Sequence, residues 1–301
     1  MGTGNLIKTN GKKILLYRAY TNNGDLSSTE YLPATKFKVG VNNATPTITG
    51  NDLTNSIPIG NGTLNDDGTN TLTGSNGGDN TTDNNDNYKQ GAGVVDGTSQ
   101  NLIANDTSVT KTWSLTLTTF IDASLPFGFW FYLIDTSALG KLVSLKARLG
   151  SDTSNYYEKT ILNADLNVGW NWINTNTDAV NTLTETGTVT GDVDTFILEV
   201  TTNNATDVFV AGDLMYDLLR QWEASDLIKS FVTSFPSINL LNLEVTTRAY
   251  LTSLEANGFL LDGLGFFNED SSPLMTSEDT IAGASKSATD EFAFVAVDRV
   301  K

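Results

Sequence analysis

The stretch "VTKTWSLTLTTF" (109–120) sets Val109, Lys111, Trp113, Leu115 and Leu117 at alternate positions and fills the gaps with Thr and Ser. A repeat of two places successive side chains on opposite faces of a strand, so this segment predicts a β-strand with one buried face. The pattern recurs. In "VSLKARL" (143–149), Val143, Leu145, Ala147 and Leu149 alternate with Ser144, Lys146 and Arg148; in "TFILEV" (195–200), Phe196, Leu198 and Val200 share a face. "FGFWFYLID" (127–135) is apolar at every other position on both sides, the mark of a central strand covered on both faces. Short strands between turns, with no long helical period, predict an antiparallel jelly-roll β-sandwich over residues 100–222.

The chain ends are also β-patterned. "KILLYRAY" (13–20) and "KFKVGV" (36–41) read as strands, as do the two halves of "FLLDGLGFFNEDSSPLM" (259–275) and the closing "DEFAFVAVDRV" (290–300). Between them, "EASDLIKSFVTSF" (223–235) suits one short helix, with Ala224, Leu227, Ile228, Phe231 and Phe235 on a stripe and Pro236 beyond its end. Segments as short as 1–59 or the last stretch are marginal alone. The expectation is therefore a mainly β chain in which the sandwich is inserted into a small β-rich domain built from 1–59 plus 223–301. Residues 60–99 are almost all Gly, Asn, Asp and Thr. Such a composition buries too little apolar surface to offset the entropy of ordering, which predicts a linker or long loop. The alternative for this segment is calcium, through the oxygen donors of "NDDGTN" (65–70) and "DNNDN" (83–87), although neither has EF-hand spacing.

Cysteine and histidine are both absent. That excludes disulfides, thiolate chemistry, Ser-His-Asp triads and histidine metal sites. Carboxylate chemistry survives, and the pairs Asp192/Asp194, Asp213/Asp217 and Asp262/Glu269 are available. A glycosidase needs two carboxyls about 5–9.5 Å apart across its substrate, and an acidic chain supplies sequence pairs by chance, so no enzyme is expected. The net charge of −17 repels nucleic acid. Basic residues gather near the start, where Lys8, Lys12, Lys13, Arg18, Lys36 and Lys38 face only Asp25 and Glu30. Lys12, Lys13 and Arg18 are candidates for an attachment surface, against the plainer reading of a solvated strand face. No signal-peptide pattern, myristoylation motif or ~20-residue apolar span is present, so neither secretion nor membrane insertion is expected.

"LNVGWNWINTN" (166–176) carries Trp170 and Trp172 two positions apart, hence on one face of a strand. In a sandwich that face is expected to be the inner one for Trp170. Trp172 is balanced between core and ligand platform, because Asn171, Asn174 and Asn176 surround it with amides. Tyr156 and Tyr157 are the other aromatic candidates for sugar binding, one expected inside and one out.

"LIKTNGKKILLYRAY…PATKFKVGV" and "EANGFLLDGLGFFNEDSSPLMTSEDT…SKSATDEFAFVAVDRV" resemble the first and last modules of tailed-phage virion proteins of the tail-fibre, head-fibre or decoration type. The middle, "FWFYLIDTSALGKLVSLKARLGSDTSNYYEKTILNADLNVGWNWI", resembles jelly-roll domains of the carbohydrate-binding-module type. The resemblance implies a non-enzymatic virion component. Its terminal domain would contact other virion proteins, and its jelly roll would be displayed toward surface glycans as a homo-oligomer. The alternative is a stand-alone carbohydrate-binding module; a carboxylate-based glycan hydrolase ranks third. Such jelly rolls often carry a structural calcium ion, and "AGDLMYD" (211–217) resembles their closing strand, which makes Asp213 and Asp217 the implied ligands.

Overall fold

The computed structural model describes residues 6–7, 34–41, 52–53, 55–60, 62–75, 79–89, 97–122, 125–175, 183–242, 244–268, 275–287 and 289–299. The strand expected at 13–20 lies outside them, as do Lys12, Lys13 and Arg18. The chain divides into two compact units, Met1–Asn61 with Ala224–Lys301, and Gly62–Glu223.

In chain order, the first unit opens with β1 (Leu6–Ile7) and β2 (Ala34–Gly40). The second contains β3 (Thr63–Asp66), β4 (Thr73–Gly74), β5 (Asp79–Asn84), β6 (Ser99–Ala104), β7 (Thr110–Ile121) and β8 (Phe127–Leu133). Helix α1 (Thr136–Lys141) follows, then β9 (Leu142–Gly150), β10 (Tyr156–Leu162), β11 (Gly169–Asn174), β12 (Thr184–Thr186), β13 (Val193–Thr202) and β14 (Leu214–Gln221). The first unit resumes with β15 (Lys229–Ser230), β16 (Ser237–Asn239), β17 (Glu244–Leu251), β18 (Leu260–Asn268), β19 (Met275–Ser285) and β20 (Phe292–Arg299).

The second unit is an antiparallel sandwich. One sheet runs β12-β10-β9-β13-β7-β4 and the other β11-β8-β14-β6-β5, with β3 also paired to β14. The alternation read from the sequence sorts side chains as expected except at the first residue of two runs: Val109 and Val143 are exposed, the latter beside a register shift where Leu142 is buried instead. Trp113, Leu115 and Leu117 of β7, Leu145, Ala147 and Leu149 of β9, and Phe196, Leu198 and Val200 of β13 all enter one core. From the opposite sheet come Phe127, Phe129, Phe131 and Leu133 of β8 with Leu214, Tyr216 and Leu219 of β14. Phe196 bridges the layers, edge-on to Phe129 (5.3 Å between centroids) and tilted on Tyr216 (5.5 Å). Lys111 shares that inner face of β7 and is fully buried; its ammonium is neutralised by Asp106 and donates to the Asp106 carbonyl at 2.7 Å. A buried ammonium without such partners would be prohibitive.

The expected linker at 60–99 is corrected. β3, β4 and β5 are strands of the sandwich, paired to β14, β7 and β6. What composition does not supply, cross-chain hydrogen bonds do. Thr81 Oγ1 donates to Leu72 O (2.9 Å), Asn101 Nδ2 to Thr82 O (3.1 Å), and the Trp113 indole N–H is shared between Asn80 O and Ile103 O.

The helix expected at 223–235 is likewise corrected. A single 3-10 turn covers Ala224–Leu227, after which the backbone is claimed by sheets: Phe231 N donates to Thr35 O (2.8 Å) and Val232 N to Arg248 O (3.0 Å). Among the described residues the short α-helix is α1, capped by Asp135, whose carboxylate accepts from Ala138 N at 2.8 Å.

The first unit holds a five-stranded sheet, β1-β19-β18-β2-β15, and a three-stranded one, β16-β17-β20. Strands from both ends of the chain meet in the larger sheet, where β2 pairs with β18 and sets Phe37 against Phe266. Phe231 packs on both rings, stacked on Phe37 (6.3 Å) and edge-on to Phe266 (5.5 Å).

Candidate functional site

β11 pairs with β8 in a register that sets Trp170 opposite Tyr132 and Trp172 opposite Trp130. The core residue of β11 is Ile173, one position on, so the two tryptophans share the outer face. Here the sequence expectation for Trp170 is corrected: it is half-buried on the outside. The reason lies in Asn171. This buried amide points inward, donates to Asn167 O (2.7 Å) and Gly169 O (3.0 Å), and accepts from Asn167 N (2.8 Å), tying off the turn before the strand. β8 meanwhile fills the core with its Phe residues and has Trp130 and Tyr132 left for the other side.

The result is a second aromatic cluster, on the outer face of this sheet. The Trp170–Tyr132 and Trp172–Trp130 rings each lie 5.2 Å apart and tilted, and Trp222 continues the row 5.8 Å from Trp172. Gly128 makes room for it, since a Cβ there would come within 2.6 Å of the Trp172 ring. Polar groups frame the rings. The Trp170 indole N–H donates to Asn87 Oδ1 (2.9 Å), the Lys89 ammonium sits 4.2 Å from the centre of Trp130, and the Arg220 guanidinium lies 5.1 Å from that of Trp172. Burial lowers both cations, Lys89 to about 8, with the Asp217 charge opposing, and Arg220 to about 10.

The other aromatic candidates are elsewhere. Tyr156 lies on the outer face of the opposite sheet, its ring 4.5 Å from the Arg148 guanidinium, and Tyr157, paired with Leu149, is on the core side of the same strand. Tyr156 and Trp172 thus belong to opposite outer faces and cannot grip one ligand. Around Tyr156 the surface is ionic: Arg148 bonds Glu158 and Glu199 at 2.7 Å each, and Lys146 bridges the same carboxylates at 3.3 and 3.6 Å. Burial would raise the Glu158 carboxyl, but Arg148 and Lys146 outweigh it and hold it below the usual range.

The two aspartates expected to hold calcium also separate. Asp213 closes a turn by accepting from Val210 N (3.0 Å). It stands four strand positions from Asp217, roughly 13 Å at the usual rise. Asp217 is fully buried; one oxygen accepts from Lys89 N (2.6 Å), and among the described residues the other, Oδ1, has no hydrogen-bond partner. Asp66, from the "NDDGTN" run singled out for its oxygen donors, is buried nearby and accepts from Tyr216 Oη (2.9 Å), Gly68 N (3.2 Å) and Asn70 Nδ2 (2.5 Å). Burial pushes Asp217 up to about 8, with the Asp66 charge adding to it, and burial raises Asp66 against those hydrogen bonds. Gly68 (φ +85°) packs against this site: a Cβ there would fall 2.3 Å from Asp217 Oδ1 and 2.6 Å from Thr98 O, so these two oxygens converge. Among the described residues no three acidic side chains group as metal ligands. Asp217 Oδ1 and Thr98 O are hard oxygens of the kind calcium takes, two of the roughly six to eight it needs, so a cation here would draw the rest from water.

No protein-family model matches the sequence, and neither does any curated protein. Solved structures with some likeness include the family 11 carbohydrate-binding module of the cellulosomal cellulase Lic26A-Cel5E of Clostridium thermocellum. It is 10% identical, with 55% of this chain and 96% of that one covered at a TM-score of 0.37. The Clostridium thermocellum family 11 module in complex with a β-1,3-1,4-mixed-linked tetrasaccharide is also 10% identical, with 64% and 98% covered and a TM-score of 0.35. The tandem CBM22-1–CBM22-2 domain of Paenibacillus barcinonensis Xyn10C is 12% identical, with 80% and 86% covered and a TM-score of 0.30.

Proposed function

We propose that the sandwich binds glycans, without cleaving them, on the outer face of the sheet formed by β11, β8 and β14. The observation that carries this reading is the pair of half-buried outer tryptophans, Trp170 and Trp172, each set against an aromatic ring of β8. Aromatic faces stack on the apolar faces of sugar rings, and fixed amides such as Asn87 supply directional bonds. Binding without catalysis fits the acids beside the rings. Asp217 and Asp66 are buried and held by hydrogen bonds, whereas glycoside cleavage needs two carboxyls facing each other across the sugar. The terminal unit is proposed to tie the sandwich to a phage particle, on the strength of the resemblance of both chain ends to virion modules; arrayed copies would then gain avidity from weak sites.

The test is isothermal titration and affinity electrophoresis of the whole chain against a panel of β-glucans, xylans and bacterial surface polysaccharides, with W170A beside the parent. Binding that W170A weakens at least ten-fold supports the proposal. No binding across the panel, or equal binding by W170A, overturns it.

A further inference from the structure

β20 is bonded to β17 along its whole length, from Phe292 opposite Leu251 to Arg299 opposite Glu244. Among the described residues nothing pairs with its other edge. Edge strands of soluble proteins are usually guarded by lysine, proline, a bulge or short length. This one runs "FAFVAV" for six residues with no such guard. Its apolar side chains also remain in water: Val295 is 58% and Val297 49% exposed, Ala293 is exposed beside them, and Phe292 and Phe294 are half-buried on the other face.

The strand is complementary to itself. In an antiparallel pairing about Val295, Ala293 of one copy meets Val297 of the other and Phe294 meets Ala296, a small residue opposite a larger one each time. We propose that two copies of this chain join β20 to β20 about a two-fold axis, merging the three-stranded sheets into one of six strands. Main-chain hydrogen bonds supply the affinity, as in strand addition generally, and the apolar stripe Ala293–Val295–Val297 continues across the junction. A two-fold interface uses the same patch twice, so one substitution at the axis is felt twice.

The experiment is light scattering coupled to size exclusion, and sedimentation equilibrium, on the whole chain. The parent is expected to be dimeric at micromolar concentration. Val295→Glu places two carboxylates face to face at the axis, while within one copy it stands opposite Arg248, so it leaves the monomer folded by circular dichroism and raises the dimer Kd at least ten-fold. A monomeric parent, a trimer, or a dimer indifferent to Val295→Glu would each overturn the proposal.

Discussion

The two outer faces of the sandwich come from similar strands and differ in chemistry. β9, β10 and β13 send aliphatic and aromatic residues inward and present Arg148, Lys146, Glu158 and Glu199 outside, a lattice of ion pairs that satisfies itself. β8 and β11 also send apolar residues inward but present Trp130, Tyr132, Trp170 and Trp172 outside. A closed set of ion pairs leaves little for a ligand to gain. Tyr132, Trp170 and Trp172 remain partly wet after folding, over a buried Trp130, and keep apolar area that a ligand could cover; under the proposed function one face is then a support and the other a reader.

Four measurements can break or sharpen that contrast. The largest effect belongs to the layer both faces share. Phe196→Ala empties the junction between the sheets and is expected to cost about 3–5 kcal/mol in chemical denaturation. A loss no larger than that of an outer-face variant would mean the two sheets are not one cooperative core. Calcium comes next. Saturating calcium at a hundred times its Kd would add about 2.7 kcal/mol to the parent, read as a raised thermal midpoint that a chelator reverses. Asp217→Asn is expected to abolish that rise while keeping stability in chelator, because the neutral amide replaces a carboxyl that burial already holds largely protonated at neutral pH. Third, Gly128→Val pushes the Trp172 ring aside and is expected to weaken glycan binding about ten-fold, roughly 1.4 kcal/mol. Unchanged affinity would take Trp172 out of the binding face. The smallest effects are expected on the ionic face: Glu199→Gln should cost about 1 kcal/mol or less, and Tyr156→Ala should leave glycan affinity within two-fold of the parent. A glycan that loses affinity on Tyr156→Ala would exchange the roles of the two faces.

The sandwich strands were legible because alternation is a direct imprint of burial, and Trp113, Leu145 and Phe196 lie where their spacing puts them. Alternation also says that Trp170 and Trp172 share a side. It is silent on which side, and hydrophobicity points the wrong way, since the inward residue between them is Asn171, kept there by three hydrogen bonds to the preceding turn. The strands inside 60–99 were hidden for a related reason. β5 reads "DNTTDN", and its order comes from partners in β6, β7 and the segment before it, none of which is encoded locally. Asp66 is one of the oxygen donors of "NDDGTN", but its proximity to Asp217 is not legible, because the two lie far apart along the chain. The helix assigned to 223–235 had a convincing stripe, but the same Leu227 and Phe231 serve equally well beside strand edges, and tertiary pairing decided.

The register that sets Thr63 beside Gln221 brings the point where the chain enters the sandwich next to the point where it leaves. Pairing Phe37 with Phe266 otherwise demands closing a loop as long as the intervening domain, a slow search. If the sandwich forms first, it shortens that search to the few residues flanking a fixed point. Folding is then sequential, with the middle of the gene product acting as a clasp for its two ends. Pulse-labelled hydrogen exchange should show amides of β7, β9 and β13 protected before those of β2 and β18; the reverse order would mean the ends find each other unaided.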